Sequence, residues 1–188
     1  MNIEDAIKKR KSIRRYSDSK PDWRKIIKAI DASRYAPMAG NLFSLRFILV
    51  QDKDKIVRLK QACQQDFVGK AHYIVVVVSD ITKVKMSYGD RTEKFARQQA
   101  GAGIENFLLE LTRQGLCTCW TGYFVEEQVK RILEIPDNMN VEALFPIGIE
   151  TRIPTKEKPK PDLENVLWFD KWKNKYMKPI QRARVESV

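Results

Sequence analysis

The sequence predicts an α+β fold in which helices flank a central sheet. Apolar residues recur at helical spacing in several segments, the longest of which covers residues 93–115. The unbroken apolar run at residues 73–78 is typical of a buried central strand. Because helical and strand patterns alternate without a strict βαβ rhythm, we expect a layered α+β structure.

The other elements follow from shorter signals. Residues 3–9 can begin a helix, and Asp22 can cap a second helix that ends at Pro37. Residues 38–41 are expected to form a loop. Strands are also predicted at 46–51, 116–124 and 142–149, and helices at 54–64 and 126–135. Residues 80–93 are polar and irregular, which indicates a surface excursion.

Composition limits the class of protein. The chain has 188 residues, of which 43% are hydrophobic and 31% charged, an ordinary globular mixture. No repeat or flexible linker divides it, so we expect one domain over residues 1–188, with a basic, aromatic C-terminal extension at 151–188. No apolar run approaches the roughly 20 residues of a membrane span. Without an apolar leader, a cytoplasmic location is expected. Three cysteines and one histidine argue against a disulfide framework or a metal site.

The net charge of +11 needs an explanation, because a basic domain can bind nucleic acid. The excess of Lys and Arg is concentrated in residues 1–28 and 151–188. Basic ends suit an anionic cofactor or partner, and they also suit a simple solvated surface. No nucleic-acid-binding motif is present, so we do not expect nucleic acid to be the partner.

One cluster of side chains favours an anion. If residues 10–15 are extended, the side-chain period of two places Arg10, Ser12 and Arg14 on one side. Two guanidinium groups and a hydroxyl form a good receptor for phosphate. The alternative is a solvated basic turn. No Walker loop or G-x-G-x-x-G motif occurs, so a glycine-rich phosphate loop is not supported.

Two further segments predict close packing. The middle of the long helix, AGAGIENFLLEL at residues 100–111, is rich in small residues, which lets another backbone or helix approach. The segment LENVLWFDKWKNKY at 163–176 is too apolar to remain free in water. It is expected to cover a surface, either that of its own chain or that of a second subunit.

Five motifs in order carry a family resemblance. They are RKSIRRYS, APMAGN followed by RFILV, AGAGIENFLLEL, GLCTCWTGYF and LFPIGIE. Together they resemble the nitroreductase family of flavoproteins over most of residues 1–170. The resemblance implies a nitroreductase-like fold with a central mixed or antiparallel sheet flanked by helices. It also implies FMN as cofactor, NAD(P)H as electron donor, and a homodimer with FMN at the interface. It further implies a C-terminal tail that wraps the partner subunit, and a small-molecule acceptor resembling a nitroaromatic compound or a quinone.

The resemblance also implies a set of FMN-binding residues and no catalytic side chain, because the flavin carries the chemistry. Arg10 and Ser12 match the positions that hold the phosphate and ribityl chain, and Lys11 adds its backbone or charge. Arg14 matches the basic residue near flavin N1 and O2, where a cation stabilises the reduced flavin. The full set is Arg10, Lys11, Ser12, Arg14, Met38, Asn41, Thr121, Gly122, Lys158 and Lys160.

The second half of this set comes from later motifs. Asn41 matches a loop asparagine that reaches the flavin pyrimidine edge from the neighbouring subunit. Thr121 and Gly122 match a strand end whose backbone N–H groups face flavin N5 and O4. Lys158 or Lys160 matches a late basic residue that returns to the phosphate.

The sequence departs from the family pattern at the substrate pocket. Family members often carry serine at Met38 and Gln-Pro-Trp at residues 43–45, where this chain has Phe-Ser-Leu. Pocket contacts therefore cannot be transferred. Glu150 stands where proline is common. A specialised flavoenzyme such as a dehalogenase, or a flavin-binding module without turnover, remains an alternative function.

Several residues have a simple structural interpretation. We expect His72 to be structural, and Cys117 and Cys119, which alternate in a predicted strand, to pack in the core. Trp168, Phe169 and Trp172 have the spacing of a docking helix face, although such rings can also stack on bases.

Overall fold

The computed structural model describes residues 1–151 and 159–177 and divides the chain into two compact units, Met1–Thr155 and Lys156–Val188. The expectation of one domain with an extension from residue 151 stays a prediction. The helices of the first unit are α1 Ile3–Lys9, α2 Trp23–Ser33, α3 Lys53–Cys63, α4 Thr82–Tyr88, α5 Thr92–Arg113 and α6 Glu126–Leu133. The second unit holds α7, Leu163–Val166.

The first unit is built on a four-stranded antiparallel sheet. Its strands are β1 Leu45–Val50, β2 Tyr73–Ser79, β3 Cys117–Thr118 and β4 Asn140–Gly148, in the order β1-β2-β4-β3. Every residue of β2 is buried, as expected of a central strand. The predicted α+β class with a central sheet is confirmed.

Two apolar clusters cover the two faces of the sheet. Val75 and Val77 of β2 belong to the cluster that includes Phe107 of α5, and α2 packs in the same layer. The alternate residues Ile74, Val76 and Val78 belong to the other cluster, together with Leu59 of α3. The alternation along β2 therefore places one layer of helices on each face of the sheet.

The small residues of α5 are explained in part within the chain. A Cβ at Gly103 would lie 2.7 Å from Leu45 Cδ1 and 3.6 Å from the Ser33 backbone oxygen, so glycine lets α5 approach α2 and β1 closely. At Gly101 a Cβ would meet no described atom within 4 Å. Gly103 is thus an intramolecular packing position, whereas Gly101 faces away from the described residues.

Two predicted elements were wrong. Residues 80–93 are not an irregular excursion, because α4 forms there around the buried Val84. The polar composition of this segment did not reveal a helix, because only Val84 of α4 is buried. The predicted strand at 116–124 is reduced to β3 and one further bridge between Thr121 and Leu144. In the same register Pro146 falls opposite Cys119, and proline has no N–H to continue the ladder.

The second unit contains a small aromatic cluster. The rings of Trp168 and Trp172 lie 4.1 Å apart, and Lys175 Nζ lies 5.0 Å from the Trp168 ring centroid. These aromatic residues do not lie on a helix, since Asp170 and Lys173 adopt positive φ values of 60° and 65°. The predicted helical docking face was therefore wrong. Whether this segment covers a partner stays a prediction.

The packing at Gly103 gives a stability prediction. Gly103→Ala should lower the free energy of unfolding by about 1–3 kcal/mol, because the added methyl group overlaps Leu45. Chemical denaturation measures this change. In a Leu45→Val background, which lacks the δ methyl group, the same substitution should cost less. A gain of about 1 kcal/mol in the wild-type background, as for an exposed helical glycine, would contradict the packing account.

Candidate functional site

The residues that follow α1 form an extended segment beside β3. Arg10 is the C-cap of α1, and the Ile13 N–H donates to the Thr118 carbonyl at 2.9 Å. Ser12 forms an isolated parallel bridge with Thr118. Ile13 is 1% exposed, while Ser12 and Arg14 on either side of it are exposed. The structure thus places residues 10–14, here called the basic segment, with alternating side chains toward solvent.

The cations of the basic segment already have neighbours. Arg10 Nε lies 3.4 Å from Glu105 Oε1 of α5, and Lys11 Nζ lies 3.2 Å from Glu150 Oε1. These pairs are partly exposed and are each worth only about 0–1 kcal/mol. Since the Arg10 contact uses Nε, the contact leaves its terminal Nη groups for another anion.

Arg14 is held by an aromatic ring. Its guanidinium carbon lies 5.5 Å from the centroid of Phe67, which is half-buried. A cation over a ring face is attracted by the quadrupole of the ring. No sequence pattern linked Arg14 to Phe67, because the contact joins segments far apart in the chain.

Tyr16 anchors the far end of the extended segment. Its hydroxyl lies 3.0 Å from the Ile13 carbonyl and 3.1 Å from the Pro146 carbonyl, and can donate to either. A Cβ at Gly148 would lie 2.6 Å from the Tyr16 ring, so glycine is needed for this approach. Burial raises the pKa of Tyr16 well above its ordinary value, which keeps the hydroxyl as a donor.

The strand end at Thr121 and Gly122 lies along the same edge of the sheet. Thr121 is 2% exposed, and its N–H donates to the Leu144 carbonyl at 3.0 Å. That N–H is therefore engaged within the sheet rather than available to a ligand. The Gly122 N–H has no acceptor among residues 1–151 and 159–177, and Gly122 is exposed. Gly122 is thus the donor that this strand end can offer.

Met38 and Asn41 lie in a different part of the candidate site, the loop of residues 38–44. Residues 39–41 form a 3-10 turn in which the Asn41 N–H donates to the Met38 carbonyl at 3.0 Å. Gly40 and Asn41 have positive φ values of 58° and 56°, a region that glycine and asparagine tolerate best. Asn41 is exposed, so this turn presents its side chain outward.

Sequence reasoning missed Gln99, which holds this loop. Gln99 lies on α5 and is 3% exposed. Its Oε1 accepts from the Ala39 N–H at 3.1 Å, and its Nε2 donates to Ser44 Oγ at 2.6 Å. The only available signal was a polar residue on the inner face of a helix, and that pattern does not identify its partners.

The remaining predicted site residues are lysines late in the chain. Lys158 lies outside the described residues. Lys160 is exposed in the second unit. Their role at a phosphate stays a prediction.

His72 and the cysteines have structural environments. His72 Nε2 lies 3.0 Å from the Asp18 carbonyl oxygen. Cys119 is 2% exposed, and the Cys117 thiol donates to the Gly148 carbonyl at 3.3 Å. Burial, and then the nearby Glu150 carboxylate, raises the pKa of Cys117 to about 12.

The donor set fits an anionic flavin. The basic segment offers guanidinium Nη groups and the exposed Ser12 hydroxyl for a phosphate, and Gly122 offers a backbone N–H. The bridge between Ser12 and Thr118 puts these donors along one sheet edge. In the described part of the chain, no cluster of three or more His, Cys, Asp or Glu side chains is placed to bind a metal ion. Nor does any helix within residues 1–151 and 159–177 have the length and apolarity needed to cross a bilayer.

Comparison with known proteins agrees with this fold, which is that of the nitroreductase fold class. A nitroreductase family protein from Clostridium novyi NT is 29% identical, covers 93% of this chain and 96% of its own, and has a TM-score of 0.73. The NADPH:FMN oxidoreductase from Vibrio harveyi is 21% identical, with a TM-score of 0.80 over 93% of this chain and 79% of its own.

The family itself follows from the sequence match. The Nitroreductase family model matches residues 7–68 and 59–149, so the chain belongs to the nitroreductase family. The resemblance inferred from the five motifs is confirmed. The iodotyrosine deiodinase of Thermotoga neapolitana is also similar, at 21% identity over 184 residues that cover 84% of this chain and 91% of the relative.

The environment of Cys117 yields a test of its reactivity. Because its pKa is raised to about 12, the thiol stays protonated at pH 8 and should resist alkylation in the folded protein. Iodoacetamide labelling followed by mass spectrometry measures the modified fraction at each cysteine. Protein unfolded in denaturant is the control and should be labelled. Rapid labelling of Cys117 in the native protein would contradict this assignment.

Proposed function

We propose that the protein is an FMN-dependent NAD(P)H oxidoreductase that works by a ping-pong mechanism. The donor and an oxidised acceptor, nitroaromatic- or quinone-like, use the same site in turn. When bound, FMN supplies hydride acceptance and donation at N5. The observation that carries the proposal is the pairing of the basic segment with Thr118 of β3, the strand that leads to Gly122. Membership in the nitroreductase family supports this proposal, as does the structural similarity to an NADPH:FMN oxidoreductase.

The basic segment binds and orients the cofactor in this proposal. Arg10 and Ser12 hold the phosphate and ribityl chain, and Lys11 adds positive charge. Glu105 and Glu150 lie beside these cations and keep them partly neutralised. The phosphate would therefore bind to the terminal Nη groups of Arg10, whose guanidinium is already oriented by the contact between its Nε and Glu105. A bidentate guanidinium–phosphate contact is strong because it is both charged and directional.

The other residues set the electrostatics around the flavin ring. Arg14 places a fixed cation near N1 and O2, where reduction adds negative charge. The Gly122 N–H faces the N5 and O4 edge, in place of the Thr121 N–H that the sheet already uses. No side chain of the protein is needed as a nucleophile.

The acceptor has a candidate cavity beside the 38–44 loop. The cavity measures about 450 Å³ and is lined chiefly by apolar side chains, including Met38, Tyr88 and Phe95. Tyr88 and Phe95 pack edge to face with ring centroids 5.0 Å apart. Aromatic walls of this kind suit a planar, uncharged acceptor ring.

We also propose a homodimer in which each FMN contacts Asn41 of the second copy. Large apolar side chains on the first unit are exposed, among them Ile3 at 66%, Ile7 at 57% and Tyr35 at 79%. Gly101 faces open space on the outer face of α5. These features favour a close-packed partner. The same proposal includes a C-terminal tail that wraps the partner subunit, as the family resemblance implies. It also includes a cytoplasmic location.

A second candidate function is reductive dehalogenation, favoured by the similarity to the iodotyrosine deiodinase. It uses the same cofactor site and differs in the acceptor. Turnover of a nitrophenol and of an iodophenol by the same preparation separates the two functions. Release of iodide at a rate above that of nitro reduction would favour the second candidate.

The phosphate role of Arg10 can be tested directly. Arg10→Ala should weaken FMN binding by about 1.5–3 kcal/mol, the range of a charge-assisted hydrogen bond. Flavin fluorescence titration at fixed ionic strength measures the affinity. Arg15→Ala is the matched control, because it removes the same charge from the neighbouring sequence. If the two substitutions weaken FMN binding equally, Arg10 contributes only to the net positive charge and does not contact the phosphate.

The proposed role of Arg14 is to stabilise the reduced flavin, so it is tested by measuring the flavin midpoint potential. Arg14→Met removes the cation and keeps a side chain that can still contact Phe67. It should lower the flavin midpoint potential by on the order of 30 mV, about 1.4 kcal/mol for a two-electron couple. Potentiometric titration measures it, and Arg14→Lys should restore most of the shift. A potential equal to that of the wild type in Arg14→Met would remove the residue from the flavin edge.

A further inference from the structure

The 38–44 loop is tied to the interior at both ends by one side chain. The Ala39 N–H donates to Gln99 Oε1 at 3.1 Å, and Gln99 Nε2 donates to Ser44 Oγ at 2.6 Å. Gln99 and Ser44 are 3% and 2% exposed. Because a buried amide without partners is costly, this pairing holds the loop in one place against α5.

The backbone between these two anchors is unusual and depends on support. Gly40 and Asn41 are consecutive left-handed residues, with φ values of 58° and 56°. A Cβ at Gly40 would lie 2.7 Å from the Tyr88 hydroxyl, so α4 closes the other side of the turn. The Asn41 side chain is exposed, so its direction follows from the backbone conformation of this turn.

We infer that Gln99 is a positioning residue for flavin binding, and that it acts through Asn41. Its amide fixes the two ends of the loop, and the fixed loop aims the Asn41 side chain at the flavin. The inference rests on the proposed function, in which Asn41 contacts FMN held by a second copy. Gln99 is 3% exposed and its side-chain amide is hydrogen-bonded to Ala39 and Ser44, so its effect on FMN passes through the loop.

The gentlest perturbation is Ser44→Ala, which deletes one anchor and leaves the Ala39 contact. It should weaken FMN binding about three- to tenfold, the equivalent of one hydrogen bond. Ser33→Ala is the matched control. Ser33 is also fully buried, and its hydroxyl has no hydrogen-bond partner among the described residues, so its loss should leave FMN affinity unchanged. Gln99→Leu removes both anchors and should weaken binding further.

A double-mutant cycle tests whether the effect passes through Asn41. In an Asn41→Ala background, Ser44→Ala should change FMN affinity by less than about twofold, because the contact it positions is already gone. Full additivity in this cycle would overturn the inference and leave Ser44 and Gln99 with a structural role only. If Gln99→Leu does not fold, the Ser44 cycle decides alone.

A measurement without flavin isolates the loop. Hydrogen exchange of residues 38–44 in FMN-free protein should be faster in Ser44→Ala than in wild type or Ser33→Ala. Unchanged exchange would overturn the inference even if FMN affinity falls. If the wild-type protein does not bind FMN, the proposed function fails, and the inference fails with it. If Asn41→Ala weakens FMN binding and Ser44→Ala does not, only the inference fails.

Discussion

Phe107 of α5 packs edge to face against Phe145 of β4, with ring centroids 5.3 Å apart, and both side chains are fully buried in one core cluster. It fixes the long helix against the sheet, and the absence of a side chain at Gly103 lets α2 and β1 close on it. The candidate site depends on this position of α5. From the same helix, Glu105 reaches Arg10 and Gln99 holds the 38–44 loop. The single helix α5 thus supports both groups of predicted flavin contacts.

The basic segment derives its geometry from backbone pairing rather than from its own charges. Ile13 is buried, and its N–H is bonded to Thr118, so the polar residues on either side must face outward. Tyr16 links the same segment to Pro146 through its hydroxyl. The cations therefore sit on a rigid edge, which lowers the entropy lost when an anion binds.

Periodicity and buried apolar runs predicted much of the fold. Residues 73–78 were predicted to form the central strand because a short segment that is apolar on both faces must be covered on both faces. The strand at 116–124 was predicted too long, since the interrupting proline lies in β4 and not in the strand itself. The basic segment was visible as a local pattern. Gln99, Glu105 and Phe67 were not. Gln99 contacts the 38–44 loop, and Glu105 and Phe67 contact the basic segment, all far away in the chain. A single sequence carries no information on such pairings.

Co-sedimentation of flavin with the protein tests the central claim, which is that two copies of this chain share each FMN. Full-length protein with FMN is sedimented at micromolar concentration, and the boundary is followed through flavin absorbance. The account predicts that the flavin moves with a species of the mass of two chains. Flavin that moves with a single chain, or that does not move with the protein, would contradict it.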